Sequence, residues 1–285
     1  MAIDIQGALW IGRRPGSVSA NKNPIDLTAD PLDSRVLFSR ASTKLYFADG
    51  EFYSAQANEW PVEHDPVTNK PLGRSCEPQR TNYWLNSMSP DQNGRAVQGT
   101  GSTLTSEAVI SLFGISMLNM VATTTISDPG VYALRGGNAS ATPSGVAVAS
   151  LYAVGRDASS VGVTFYADSA SVFNQLPLTQ QLKRYAITVG SGSSHYMWVG
   201  NRNVVRKSAM AIGLFQLEIG DYATSPILTS NLPVTRSADI AVIPTYGSKK
   251  IIVTYSDGTK EELAMSGDNY QLPWSPKIYS RIEYA

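Results

Sequence analysis

The sequence contains one cysteine, two histidines and no long apolar run. With Cys76 alone, no intramolecular disulfide can form, and no CxxC or Cys/His cluster offers a zinc site. No stretch approaches the ~18 apolar residues that a membrane-spanning helix needs. The start, MAIDIQGALWIGRRPG, has no charged segment followed by a long apolar core, so the chain reads as soluble, made in a reducing cytoplasm and not inserted in a membrane. Lys plus Arg number 23 and Asp plus Glu 23, which leaves no basic field to neutralise phosphates and argues against nucleic acid as a partner. GxSxG, GxxxxGK[ST], GxGxxG opening a helix and HExxH are all missing, so no catalytic, metal or cofactor site is read.

The charge that is present is unevenly placed. Residues 1–100 carry 21 charged side chains, residues 101–200 only 8 and residues 201–285 carry 17. Globular domains average about 25% charged residues, so the middle third is poor in charge, and it is rich in Ser, Thr, Gly, Ala and Val. Such a composition favours strands, because β-branched residues suit a pleated surface and few Lys or Glu remain to solvate a helix. It fits either a polar Ser/Thr surface or a face set against another protein.

Residues 1–35, with Pro15, Pro24 and Pro31 and no sustained periodicity, read as an extended N-terminal arm. Short strands follow at 36–38 and 44–47, and Asp49-Gly50 joins the latter to 51–54 as a hairpin. Residues 60–78, rich in proline, read as loop. Residues 107–121, EAVISLFGISMLNMV, are too densely apolar for a clean period of two or 3.6 and stay ambiguous between strand and short helix. VGVTFYAD (161–168), RYAITVG (184–190), HYMWVG (195–200) and AMAIGLFQLEIG (209–220) then recur between turn residues. That spacing points to an antiparallel β-sandwich or jelly roll over 36–241. Alternation around Asp257-Gly258 predicts a type I′ hairpin within a small C-terminal β-hairpin unit, 242–285.

Candidate chemistry is sparse. His64, in Glu63-His64-Asp65 among prolines, reads as a loop histidine, and His195 has no evident carboxylate partner. Asp157 and Asp168 read as turn formers. Glu261 and Glu262 read as a solvated edge that discourages strand-to-strand pairing. No facing carboxylate pair for glycoside hydrolysis can be selected. Tyr196 and Trp198, two apart on one strand face, precede Asn201, Arg202 and Asn203 in a turn. Flat rings beside amide and guanidinium donors suit a glycan platform, and a buried Trp198 in a sandwich core suits the pattern equally. Tyr270, Trp274 and Tyr279 read as structural.

FSRAST (38–43), AQANEWPVEHDPVTNKPLG (55–73), EPQRTNYWLNS (77–87), FQLEIGDYATSPILT (215–229) and PVTRSADIA (233–241) together resemble a module of bacteriophage and prophage tail-fibre and related virion proteins. The resemblance covers roughly residues 36–90 and 209–285. It implies a mainly β, lectin-like jelly roll in a virion appendage, commonly trimeric and associated with attachment to the bacterial surface, with no catalytic residues and no fixed sugar-binding set to carry over. No heptad run supports a coiled-coil shaft, so the arm is expected to dock on other virion proteins. Within the motifs, Arg40, Arg80 and Arg236 are expected to bind loop carbonyls, with Glu77 and Asp65 as counter-charges, knitting the Pro-rich loop to the sandwich. The rival expectations are an adaptor or decoration protein joining virion parts and a polysaccharide-cleaving tail enzyme.

Overall fold

The computed structural model describes residues 21–87, 102–124, 134–135, 145–156, 163–166, 173–176, 178–189, 198–199 and 206–285. Among the described residues every regular element is a strand, and every pairing is antiparallel. The chain is therefore mainly β, as its composition indicates.

The largest sheet has five strands in the order Lys183–Val189, Ala147–Gly155, Arg206–Ile219, Ile115–Thr124, Ser102–Leu112. One face carries Leu118, Ala149, Leu151, Tyr185, Ile187, Ile212 and Leu217 against Trp84, which stacks on Phe215 with centroids 5.6 Å apart. The opposite face carries Met117, Val154, Ala211 and Leu214, covered by Leu45, Phe47 and Phe52 of the hairpin Lys44–Ala48/Glu51–Ala55. A bulge lets Arg206–Ile219 serve both faces: the register shifts between Ser150 and Tyr152, and Leu214 takes φ +52°. Past it, Gln216 and Glu218 meet the segment 224–227, while Phe215 and Leu217 remain in the core.

The ambiguous run 107–121 is the meeting point of two strands. Ser102–Leu112 and Ile115–Thr124 turn at Phe113-Gly114, whose φ values of +56° and +73° match a two-residue primed turn. Its dense apolar content serves both sides of the sheet: Met117 and Leu118 are buried on opposite faces, and Ile110, Leu112, Phe113 and Ile115 pack partly buried around the first hairpin. Asp49-Gly50, at φ +49° and +84°, closes the first hairpin in the same way. At Asp257-Gly258 the expected type I′ turn is not formed. Only Gly258 has positive φ, and the loop spans 255–259 with Gly258 N donating to Tyr255 O at 2.9 Å. The cause is local: Asp257 Oδ1 accepts from Thr259 N at 2.9 Å and from its hydroxyl, favouring a longer Asx-type loop.

The C-terminal segment builds a four-stranded sheet in the order Ile25–Asp26, Tyr279–Tyr284, Lys250–Tyr255, Lys260–Ala264, beside a three-stranded sheet of Leu37–Ser39, Ile240–Pro244 and Asn269–Gln271. Their shared core takes Ile25, Leu27, Val36, Trp60 and Cys76 along with Ile243, Val253, Tyr279 and Ile282. Residues 25–36, expected as the end of a free arm, are thus an edge strand and core of this unit; fully buried Ile25 and Leu27 account for the difference. Residues 1–20 lie outside the described residues.

Candidate functional site

Residues separated by up to 199 positions converge on one buried ionic cluster. Arg40 Nη1 lies 3.3 Å and Arg236 Nη1 3.5 Å from Asp239 Oδ1. Arg236 Nη2 lies 3.1 Å from Glu77 Oε2. Lys44 Nζ donates to Glu63 Oε1 at 3.0 Å and lies 3.5 Å from Glu77 Oε2 and 4.0 Å from Asp239 Oδ2, and Ser75 Oγ bridges Lys44 and Glu63. Arg40, Lys44 and Arg236 balance Glu63, Glu77 and Asp239. The Lys44, Arg40 and Asp239 side chains are wholly inaccessible to solvent.

The backbone completes the cluster. Arg40 donates to the carbonyls of Ser42, Gln56 and Glu59 at 2.8, 3.0 and 2.9 Å, and Arg236 to Pro78 O at 3.1 Å. Asp239 Oδ2 accepts from Glu77 N at 3.0 Å, and Glu77 Oε1 accepts from Ser225 N at 2.8 Å. A guanidinium offers five donors in a fixed fork, and buried loop carbonyls need such donors. The cluster therefore ties the 44–55 hairpin, the Pro-rich loop, 74–78, 225 and 236–239 into one body.

Burial penalises every charge here, and the neighbours decide each outcome. Burial opposes ionisation of Glu77, yet Lys44, Arg236 and the Ser225 hydrogen bonds overcome it and hold the carboxyl at about 2. Lys44 is also opposed by burial, but Glu63, Glu77 and Asp239 hold its ammonium above the ordinary lysine value. For Asp239 burial prevails and raises the carboxyl despite Lys44 and Arg236. Burial likewise pushes the Cys76 thiol up to about 12, so this cysteine stays an inert core group.

Two motif residues lie elsewhere. Arg80 sits by the bulged strand, with Nε 3.8 Å from buried Glu218 Oε2, Nη2 3.9 Å from Asp221 Oδ1, and its guanidinium 5.6 Å from the Tyr222 ring centroid. Among the described residues, Asp65 is not a counter-charge to Arg40, Arg80 or Arg236. Its Oδ1 accepts from Val67 N, Thr68 N and Thr68 Oγ1 at 3.0, 2.7 and 2.9 Å, so its charge shapes its own turn. His64 Nδ1 faces Asn69 Oδ1 at 3.3 Å at the mouth of the same loop. Of the aromatic platform, the structure describes Trp198 only as the backbone of a two-residue strand opposite Leu134–Arg135; Tyr196, Asn201 and Arg202 lie outside the described residues, as do His195, Asp157 and Asp168. Tyr279 is buried and Trp274, half exposed, donates Nε1–H to Asp239 O at 3.0 Å. Glu262 pairs with Lys250 at 2.9 Å on an exposed edge strand.

Sequence reasoning missed Lys44, Glu63 and Asp239. Asp239, three residues after Arg236, and Glu63, in AQANEWPVEHDPVTNKPLG, both stand inside the motifs, which is the local signal available; Lys44 lies outside them, and Lys44 and Glu63 meet only through the fold. Both Glu63 and Glu77 line a cleft, a juxtaposition that invites comparison with glycosidase carboxylate pairs. The Lys44 ammonium stands between them, and Glu77 is far too acidic to donate a proton near neutral pH. No protein-family model matches the chain, and no curated protein matches it.

Proposed function

We propose that this chain is a non-catalytic structural protein of a bacteriophage tail or related virion appendage, which helps attach the particle to glycans of the bacterial surface. The observation that carries the reading is the ionic cluster. Three segments of the tail-fibre-like motif contribute Arg40, Glu77, Arg236 and Asp239 to it, and their charges neutralise one another in the interior. Motif residues used in this way specify a rigid framework, and Glu77, held at about 2, is too acidic to donate a proton near neutral pH.

In this proposal the framework carries a lectin-like jelly roll. The five-stranded sheet is one layer, and the pairs Val163–Tyr166/Phe173–Leu176 and Leu134–Arg135/Trp198–Val199 belong to the second. Proximity of Val163–Tyr166 to Trp198–Val199 supports their sharing a layer. Three copies assemble, residues 1–20 dock on neighbouring virion proteins, and Tyr196, Trp198, Asn201 and Arg202 form a glycan platform. The test is adsorption: purified protein should be retained on host envelopes and compete with phage binding, releasing no oligosaccharide. Absence of retention on the cognate host favours the adaptor reading, and released oligosaccharide favours the enzyme.

A further inference from the structure

The ionic cluster opens on one side into a cleft of about 210 Å³. It lies where the 44–55 hairpin, the Pro-rich loop, the five-stranded sheet and residues 275–278 meet, and Glu63, Phe52, Tyr152 and Arg184 line it. We propose that this cleft binds a single saccharide ring. The inference rests on the attachment function proposed above and deepens it by naming a place where an envelope glycan is held.

The wall is built on rigid elements. Tyr152 and Arg184 are directly paired across adjacent strands of the large sheet, with the guanidinium 5.6 Å from the Tyr152 ring centroid. Phe52 meets the same ring edge-on, centroids 5.0 Å apart. Arg184 gives one Nη to Ser150 Oγ at 2.9 Å, which fixes its direction.

Several polar groups of this wall have no protein partner. The buried Nε of Arg184 has none. Among the described residues, neither Tyr152 Oη nor Glu63 Oε2 is hydrogen-bonded, while Glu63 Oε1 is already held by Lys44. Unpaired polar groups at a confined site are costly unless a ligand or water satisfies them. The vacant set contains a carboxylate acceptor, guanidinium donors and a phenol that does both. Vicinal hydroxyls, each donor and acceptor, match such a mixture. A bare cation does not, because Lys44 already neutralises the carboxylates. The cleft is smaller than the roughly 300–1,000 Å³ of drug-sized ligand sites, so it takes one ring and not an oligosaccharide.

Ligand-observed NMR and calorimetry on the full chain, with a panel of hexoses, N-acetylhexosamines and uronic acids, provide the test, using Tyr152→Phe and Arg184→Gln. The wild-type protein should bind at least one sugar of the panel. Each variant should weaken that sugar about tenfold, as expected for one lost hydrogen bond, with the melting temperature essentially unchanged. Failure of wild-type protein to bind any sugar of the panel overturns the inference, as does equal binding by both variants. Envelope retention separates the two claims. If no sugar of the panel binds while envelopes retain the wild-type protein, the cleft is wrong and attachment stands. If sugars bind in the cleft while no envelope is retained, attachment is wrong and the cleft stands.

Discussion

At the scale of single residues, Asp239 and Glu77 hold the ionic cluster together. Asp239→Asn leaves Arg40, Lys44 and Arg236 against two carboxylates in the interior. Breaking one partner out of a buried ion cluster costs about 3–5 kcal/mol, and a chain of this size loses about 2–4 °C per kcal/mol. Thermal unfolding of Asp239→Asn should therefore fall by roughly 10 °C; a shift within two degrees or so contradicts the cluster. Glu77 makes a pH prediction. Its folded value of about 2 lies below the ordinary 4.5. A depressed carboxyl contributes stability that is present above the unfolded value and lost as pH falls through the folded one. Asp239, raised by burial, contributes in the opposite sense and offsets part of the loss. Wild-type protein should thus lose stability from about pH 4.5 to about 2, and Glu77→Gln should be less stable at neutral pH with a flatter acid limb. Calorimetry across that range, showing equal slopes for both proteins, would count against the assignment. Arg80→Ala strips the nearest cation from buried Glu218, and its melting temperature should fall by several degrees.

At the scale of elements, turns and close approaches decide what the chain tolerates. Gly73 has φ +123°, and a Cβ there would run into the backbone carbonyl of Tyr279, joining the Pro-rich loop to the C-terminal sheet with no room to yield. Gly258, at φ +79°, has open space around it. Gly258→Ala should cost about 1 kcal/mol from backbone strain alone, while Gly73→Ala should unfold the C-terminal unit. Chemical denaturation with near-ultraviolet signals from Trp60 and Tyr279 separates the two; equal effects would refute the close approach. These elements also show what the sequence disclosed. The hairpin 44–55 and the strands around 184–190 and 209–220 were legible because alternation and Asp-Gly marked them. Ala147–Gly155, the second strand of the largest sheet, escaped notice because burial on both faces erases alternation. Ile25–Asp26 was hidden for another reason: a two-residue strand gains its identity from its partner, Arg281–Ile282, about 255 residues away. The ionic cluster was half legible, since Arg40, Glu77 and Arg236 stood out in motifs, whereas Lys44 and Glu63 acquire their roles only from long-range packing.

At the scale of the whole molecule, the uneven charge distribution has a structural counterpart. The charged flanks, residues 1–100 and 201–285, supply the buried ionic cluster, and the charge-poor middle supplies much of the large sheet. A surface so poor in charge suits contact with sister copies, so light scattering on the purified protein should give three times the 30.7 kDa chain mass; a monomer at micromolar concentration would remove the trimer from the account. The central claim, that a rigid and chemically quenched framework presents a glycan-binding surface, is tested most directly by incubating purified protein with cognate bacterial envelopes and analysing both phases. Saturable retention of the protein on the envelope, with no oligosaccharide in the supernatant, is the predicted result. Release of oligosaccharide, or no retention at all, would contradict it.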